Sequence, residues 1–263
     1  MKPIIYLDPG HSLKDPGAVS GPEIESVHAR AVRDILAEKL KTHFTVMLVP
    51  DTLDLVATTR WINQTARGLD DGYAFAIHLN SNSGTPGIGA EAWYCGGAPD
   101  SKEVAIGRQI AKTILDKYCD ITKFENRGVH SDDTARYGRL GFVRDTNCYA
   151  GLIELCFINN HDEITKLKNN YQLIAEGLYE GILAAYGIKE NKNMQATKAD
   201  VVEIYEEILL RTEEEVLNDP EAMKYVGQSD TFIRQELMKS TERKEREKDR
   251  ANLAAAKEFI NNL

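Results

Sequence analysis

The sequence predicts an α/β protein, with a twisted, largely parallel or mixed central sheet flanked by helices and a small all-α C-terminal module after it. Three observations carry this. Through about the first 186 residues, short β-favouring apolar runs alternate with segments of helical period, the pattern of stacked strands and helices. One run, "AGLIELCFI" at 150–158, is almost continuously apolar, as a strand covered on both faces must be. After Gly187 the texture turns polar and aperiodic, and the apolar repeats beyond it have helical spacing.

Taken in order, Ile4-Ile5-Tyr6-Leu7 reads as the first strand, which stops at Asp8 and enters two Asp-Pro-Gly turns with His11 between them. Val27, Ala31, Ile35 and Leu40 then recur at helical spacing, predicting a helix that Gly21-Pro22 opens and that ends before a strand at 44–49. Leu55, Thr59, Ile62, Ala66 and Leu69 share one face of a second helix. "YAFAIHLN" (73–80) and "AEAWYC" (90–95) read as strands on either side of a Gly- and Ser-rich loop. A helix at 101–118 follows, with Val104, Gly107, Ala111, Ile114 and Tyr118 on one side. After the strand at 150–158, a helix at 171–186 closes the unit through Ile174, Leu178, Ile182 and Tyr186.

The predicted organisation is a first domain at 1–188, a linker at 189–199 and a helical domain at 200–263. In the last, Val201, Tyr205, Ile208 and Leu209 share a face, and Asp219-Pro220 reads as a helix start. "STERKEREKDR" has no apolar residue, and Leu253, Phe259, Ile260 and Leu263 restore a stripe near the end. Residues 200–221 hold nine acids and one base, Arg211, whereas the later stretch is richer in bases. Antiparallel packing of tail helices would pair unlike charge. So short a module buries little surface alone, so oligomerisation through it is expected.

Hydrophobic residues make up 42% of the chain and charged residues 28%, with a net charge of -9. That balance argues against nucleic acid as a partner, because neutralising phosphates requires clustered Lys and Arg. No apolar stretch approaches the length that spans a bilayer, so membrane insertion is not expected. The opening run is too short for a signal-peptide core, which leads us to expect synthesis without an export signal. The four cysteines, Cys95, Cys119, Cys148 and Cys156, lack Cys-x-x-Cys spacing and read as free buried thiols.

The chemistry gathers at strand ends. His11 follows the first strand directly, at the sheet edge where open α/β folds bind ligands. In "AFAIHLNSN", alternation turns Phe75, Ile77 and Leu79 to one face and Ala76, His78 and Asn80 to the other, placing His78 near a second strand end. In "SGPEIESVHAR" Glu25 falls in the first helical turn and is favoured over Glu23, which lies two residues away and faces elsewhere on a helix, and His28 offers a rival Glu-x-x-His pairing with Glu25. Glu154 lies within the apolar strand, where a carboxylate must be paired, protonated or part of a site. Burial raises its pKa toward the range a general base needs. Two histidines, a carboxylate ligand and a spare glutamate make the parts list of a mononuclear zinc hydrolase. Cys156 or Cys148 acting as a nucleophile with a histidine is the rival within hydrolysis.

At these residues the sequence resembles the zinc-dependent N-acetylmuramoyl-L-alanine amidases of bacteria and phage endolysins. The blocks occur in the family's order: "LDPGH" and "DPGA", Glu25 opening the first helix, "AIHLNSNS" with "GAEAWY", "NRGV" at 126–129, and "LIELCFINNHDE" leading to Leu167. The likeness covers about residues 3–186. It implies that His11, Glu25 and His78 ligate one catalytic Zn2+ and that Glu154 is the catalytic residue. It also implies cleavage of the amide between the lactyl group of N-acetylmuramic acid and L-alanine, with peptidoglycan as partner. "GHSLKD" departs from the glycine-rich stretch usual after the histidine. His130, in "RGVHS", stands where the family often has lysine and reads as an exposed loop histidine, with substrate contact as the alternative.

On this resemblance the chain is expected to be a phage endolysin, made in the host cytoplasm and reaching the wall after release, with 200–263 binding the wall or driving oligomerisation. Met194 is a possible internal start for a separately translated C-terminal fragment that associates with the full chain. The alternatives are a bacterial autolysin or mother-cell-lysis amidase of the same chemistry, or a non-catalytic wall-binding protein with a structural metal.

Overall fold

The computed structural model describes residues 2–66, 68–98, 100–135 and 138–189. Strands β1 (Ile4–Asp8), β4 (Thr45–Leu48), β5 (Tyr73–Asn80), β6 (Ala90–Tyr94), β7 (Asn126–Ser131) and β8 (Tyr149–Phe157) form one six-stranded mixed sheet in the order β4-β1-β5-β8-β6-β7. β4, β1, β5 and β8 run parallel, β6 lies antiparallel to β8, and β7 is parallel to β6. A separate hairpin joins β2 (Val19–Ser20) to β3 (Glu23–Ile24).

Alternation along the strands divides the core in two. Phe75, Ile77, Leu79, Ile153 and Leu155 face α1 (Glu25–Leu40), α3 (Lys102–Thr122) and α6 (Tyr171–Ala185), burying Val32, Leu36, Ile114, Tyr118, Leu178 and Ile182. Tyr6, Ala74, Ala76, Ala150 and Leu152 face the other way, toward Ile62 of α2 (Leu55–Asn63) and Phe142 and Val143 of α4 (Gly141–Arg144). Each fully buried large side chain contributes roughly 1.5–3 kcal/mol relative to exposure. On that second face Asp8, His78 and Glu154 continue the same rows toward the carboxyl ends of the strands: Asp8 pairs in register with Ala76, and His78 with Glu154. Ala74 and Ala76 keep the row low, and it rises into polar side chains at its end.

The structure departs from the sequence reading at several elements. Gly21-Pro22 does not open a helix; it occupies the β2–β3 turn, with Gly21 at φ +59°, and α1 begins at Glu25. α2 stops at Asn63, with Asp54 accepting the Ala57 N–H at its start, so Leu69 falls in a 3-10 turn instead of on the same helical face. α3 runs four residues beyond the expected end and stops with Lys123 in the left-handed region at φ +60°. β7 has no clear apolar alternation because it is a partly exposed edge strand. α5 (His161–Lys168) is short and is opened by Asn160, whose side chain accepts from the N–H groups of Asp162 and Glu163. The predicted helical module at 200–263, and the linker from 190 onward with Met194, lie outside the described residues. Among the described residues no helix is long and apolar enough to cross a membrane.

Candidate metal centre and active site

Three of the four predicted site residues converge. One ligand atom from each of His11, Glu25 and His78 lies within 4.8 Å of the others. His11 comes from the turn after β1, Glu25 from the first residue of α1, and His78 from β5. The hairpin delivers Glu25: its backbone N–H donates to Ala18 O at 3.0 Å, which fixes where the helix starts. Its carboxylate then takes the N–H groups of Ala18 at 2.8 Å and Leu79 at 3.0 Å. His78 Nδ1 stands 2.9 Å from Glu25 Oε1, and His11 Nε2 3.2 Å from Oε2. The two imidazoles meet edge to face with centroids 5.0 Å apart.

Two glycines make room for this cluster. At Gly10 (φ +76°) an added Cβ would lie 2.6 Å from the His78 ring, and at Gly17 (φ +68°) 2.6 Å from both Glu25 Oε2 and the His11 ring. Both positions therefore combine a left-handed backbone with contact against a metal-site side chain.

The charges are strongly coupled. Burial opposes ionisation of Glu25, but hydrogen bonds from His11 and His78 and their positive charge outweigh it and hold the carboxyl below the usual carboxylate range. Burial likewise pulls His11 down, yet the hydrogen bond and charge of Glu25, with those of Asp15, raise it to about 9. His78 is raised for the same reason, with Glu25 prevailing over desolvation.

Glu154 sits beside this cluster without joining it. On β8 it is in register with His78 on one side and with Glu91 of β6 on the other. Its Oε2 is buried and has no hydrogen-bond partner among the described residues. Burial pushes its carboxyl up to about 8; the charge of His78 opposes the shift, and those of Glu25 and Glu91 add to it. Glu91 stands in contrast, with Oε1 accepting from Asn80 Nδ2 at 2.9 Å and Oε2 taking Arg127 Nε at 2.7 Å. Of two neighbouring carboxylates, one is satisfied and the other is left open for chemistry.

The donor set fits a zinc ion: two imidazole nitrogens and one carboxylate form the three-ligand pattern of a catalytic site, which leaves a fourth position for water or substrate. The Glu154 oxygen that lacks a partner among the described residues belongs to the strand position in register with His78.

The other sequence readings resolve as follows. Glu23 is not at the cluster; it lies in β3, with its carboxylate 2.9 Å from His28 Nε2 and 2.6 Å from Lys168 Nζ. His28 bonds Tyr171 Oη through Nδ1 at 2.5 Å, so the Glu25–His28 pairing is not formed. The hairpin explains this, since a short strand turns Glu23 and Glu25 differently from a continuous helix. Cys156 is fully buried and its thiol is pushed well up by burial, and Cys148 is buried as well, so neither sulfur is exposed to attack a substrate. His130 is not an exposed loop residue; it sits in β7, partly buried, with its ring tilted on Trp93 at 5.1 Å. Asp15, which the sequence reading did not single out, lies 2.8 Å from His11 Nδ1; its signal was the Asp-Pro-Gly turn four residues after the histidine. Glu91 and Arg127 were also missed, since a strand-pairing register is needed to bring Glu91 beside Glu154 and Arg127 to Glu91.

A family model described as N-acetylmuramoyl-L-alanine amidase matches residues 5–184. A probable N-acetylmuramoyl-L-alanine amidase, AmiB, of Haemophilus influenzae is 25% identical over 71% of this chain and 53% of its own length, so this chain spans about half of that relative. An endolysin of Bacillus phage SPP1 is 25% identical over 76% of this chain and 72% of its own. The crystal structure of an N-acetylmuramoyl-L-alanine amidase from Clostridium difficile 630 superposes with a TM-score of 0.62 at 26% identity, covering 72% of this chain and 99% of that one.

Proposed function

The chain belongs to the N-acetylmuramoyl-L-alanine amidase family, and from that premise we propose that it hydrolyses, with zinc, the amide between the lactyl group of N-acetylmuramic acid and L-alanine in peptidoglycan. In this reading His11, Glu25 and His78 hold the ion and Glu154 is the catalytic glutamate. The observation that carries it is the convergence of those three side chains beside the unpartnered Glu154 oxygen. A zinc ion held there supplies Lewis acidity toward the amide carbonyl and lowers the pKa of a nucleophilic water to about 7. Glu154 accepts the proton of the attacking water and delivers it to the departing L-alanine nitrogen; burial raises its carboxyl in the metal-free site, and the charge of a bound dication would draw it back toward the ionised form that a base requires. Glu25 remains ionised throughout, because two backbone N–H groups and both imidazoles hold its charge.

Metal analysis of the purified protein, paired with mass spectrometry of digested peptidoglycan, tests this. We expect about one zinc per chain and fragments ending in free L-alanine amines with intact lactyl ethers. Glycan-chain cleavage, or wall binding without amine release, would refute it and favour the non-catalytic wall-binding alternative.

We further propose the phage endolysin as the biological setting, with synthesis in the host cytoplasm, 200–263 as a wall-binding or oligomerising module, and Met194 as an internal start. The support is the similarity to the phage endolysin and the change of texture after Gly187. Lysis on co-expression with a membrane-permeabilising protein, and a second band that disappears in Met194→Leu, are the expected results. Lysis without permeabilisation would favour the bacterial autolysin, whose chemistry is the same.

A further inference from the structure

We propose that Asp15 is a positioning residue of the metal centre: its carboxylate takes the Nδ1–H of His11 and fixes the ring so that Nε2 is the nitrogen offered to zinc. This rests on the zinc reading above and adds to it what holds the most exposed of the three ligands. The fold itself holds the other two. Glu25 is clamped by two backbone N–H groups, and His78 stands in the sheet between β1 and β8. His11 lies in a turn, with its side chain 21% exposed, and neither strand nor helix determines its side-chain torsions.

Asp15 supplies the missing constraint. Its Oδ2 lies 2.8 Å from His11 Nδ1, while Oδ1 accepts the Gly17 N–H at 3.0 Å and its own N–H reaches Ser12 O at 3.2 Å. Pro16 locks the next φ, so the carboxylate is held although it faces solvent. An ionised carboxylate only accepts, so the proton belongs on Nδ1. Nε2, 3.2 Å from Glu25 Oε2, is then the nitrogen left for the ion once it gives up its proton. A ligating imidazole that donates its other N–H to a carboxylate is oriented and made more basic, and losing that partner typically costs about 10–100-fold in metal affinity. An exposed pair of this kind adds little to folding by itself. Its effect therefore belongs in metal affinity and not in the stability of the metal-free protein.

The test uses the full chain, stripped by chelator and titrated with Zn2+ against a chromophoric competitor. Asp15→Ala is expected to weaken zinc binding about 10–100-fold, with the metal-free melting midpoint moving no more than ~4 °C. Asp15→Asn keeps an accepting oxygen and the turn but not the charge, and is expected to fall between Asp15→Ala and the parent. In zinc-loaded, 15N-labelled parent the His11 ring should carry its proton on Nδ1, protected from exchange, and Asp15→Ala should lose that protection. Zinc affinity within twofold of the parent in both variants, or an Nε2-protonated His11 in the loaded parent, overturns the proposal. A parent that takes up no zinc overturns both this proposal and the functional reading, which separates the two failures.

Discussion

Glu154 combines features that a structural residue would not keep together: a buried carboxylate oxygen without a partner among the described residues, directly beside a satisfied Glu91. Glu154→Gln preserves its shape and removes its basicity. We expect zinc content to remain at the parent level while amide hydrolysis falls by about 10²–10⁴-fold, measured by amine release from purified peptidoglycan. His11 gives the metal-free protein a pH dependence whose sign is fixed. Its pKa rises on folding from 6.5 to about 9, so its contribution to stability is complete below 6.5 and is lost as pH climbs through about 9. Glu25 works the other way, being depressed from 4.5, so its contribution is present above 4.5 and is lost as pH falls through the folded value. Thermal unfolding in chelator should therefore give a midpoint that declines between pH 6.5 and 9. Zinc should abolish the decline, because ligation requires neutral imidazole and releases the protons; a flat profile in chelator contradicts the assignment. Gly17→Ala places a methyl against Glu25 and His11 at a left-handed position. The expected cost is roughly 1–3 kcal/mol by denaturant unfolding, together with weakened zinc binding. Of these residues, His11, His78 and Glu154 were legible in sequence because each breaks a pattern: a histidine directly after a strand, a histidine near a strand end, a charge inside an apolar run. Asp15 breaks no pattern, since acids in turns are ordinary, and the burial of Glu91 in a five-residue strand shows only once β6 is paired with β8.

At the scale of elements, the β2–β3 hairpin decides which glutamate enters the site. Helical spacing favours Glu25 over Glu23, and the hairpin register Val19–Ile24 supplies the physical reason by starting α1 at Glu25 and sending Glu23 to His28 and Lys168. Two-residue strands have no apolar alternation to read, so no period analysis finds them. The packing of α3 on α6 gives an element-level test independent of the site. At Gly181 an added Cβ would stand 2.8 Å from the Ile114 backbone, so Gly181→Ala must push the helices apart. We expect a loss of roughly 1–3 kcal/mol in denaturant unfolding with zinc affinity unchanged; an unaltered midpoint would show that the pair yields without strain. The longer helices and the inner strands were legible because each buries one stripe or both faces. β7 and α5 were not, because the first is a half-exposed edge and the second shows only Ile164 and Leu167 to the core.

Across the molecule, both hydrophobic clusters among the described residues lie within 4–188, inside the compact unit that runs to Lys189. A chain ended at Lys189 is accordingly expected to bind zinc as the full chain does and to release amines from solubilised muramoyl peptides at a similar rate, with any loss confined to intact walls. Failure of the shortened chain to take up zinc would make 190–263 part of the catalytic unit. By itself the sequence determined the α/β class, placed His78 on the strand face opposite Phe75, Ile77 and Leu79, and singled out His11, Glu25 and Glu154 as its candidate companions. It could do so because burial imposes periods of two and 3.6 that residues either obey or visibly violate. Only the tertiary structure showed that a hairpin brings Glu25 to the histidines and sends Glu23 to His28 and Lys168, and that Glu91, bonded to Arg127, stands in register with Glu154. Those outcomes depend on strand order, register and a turn's exit direction, which arise from contacts between segments far apart in the chain and leave no periodic trace within any one of them.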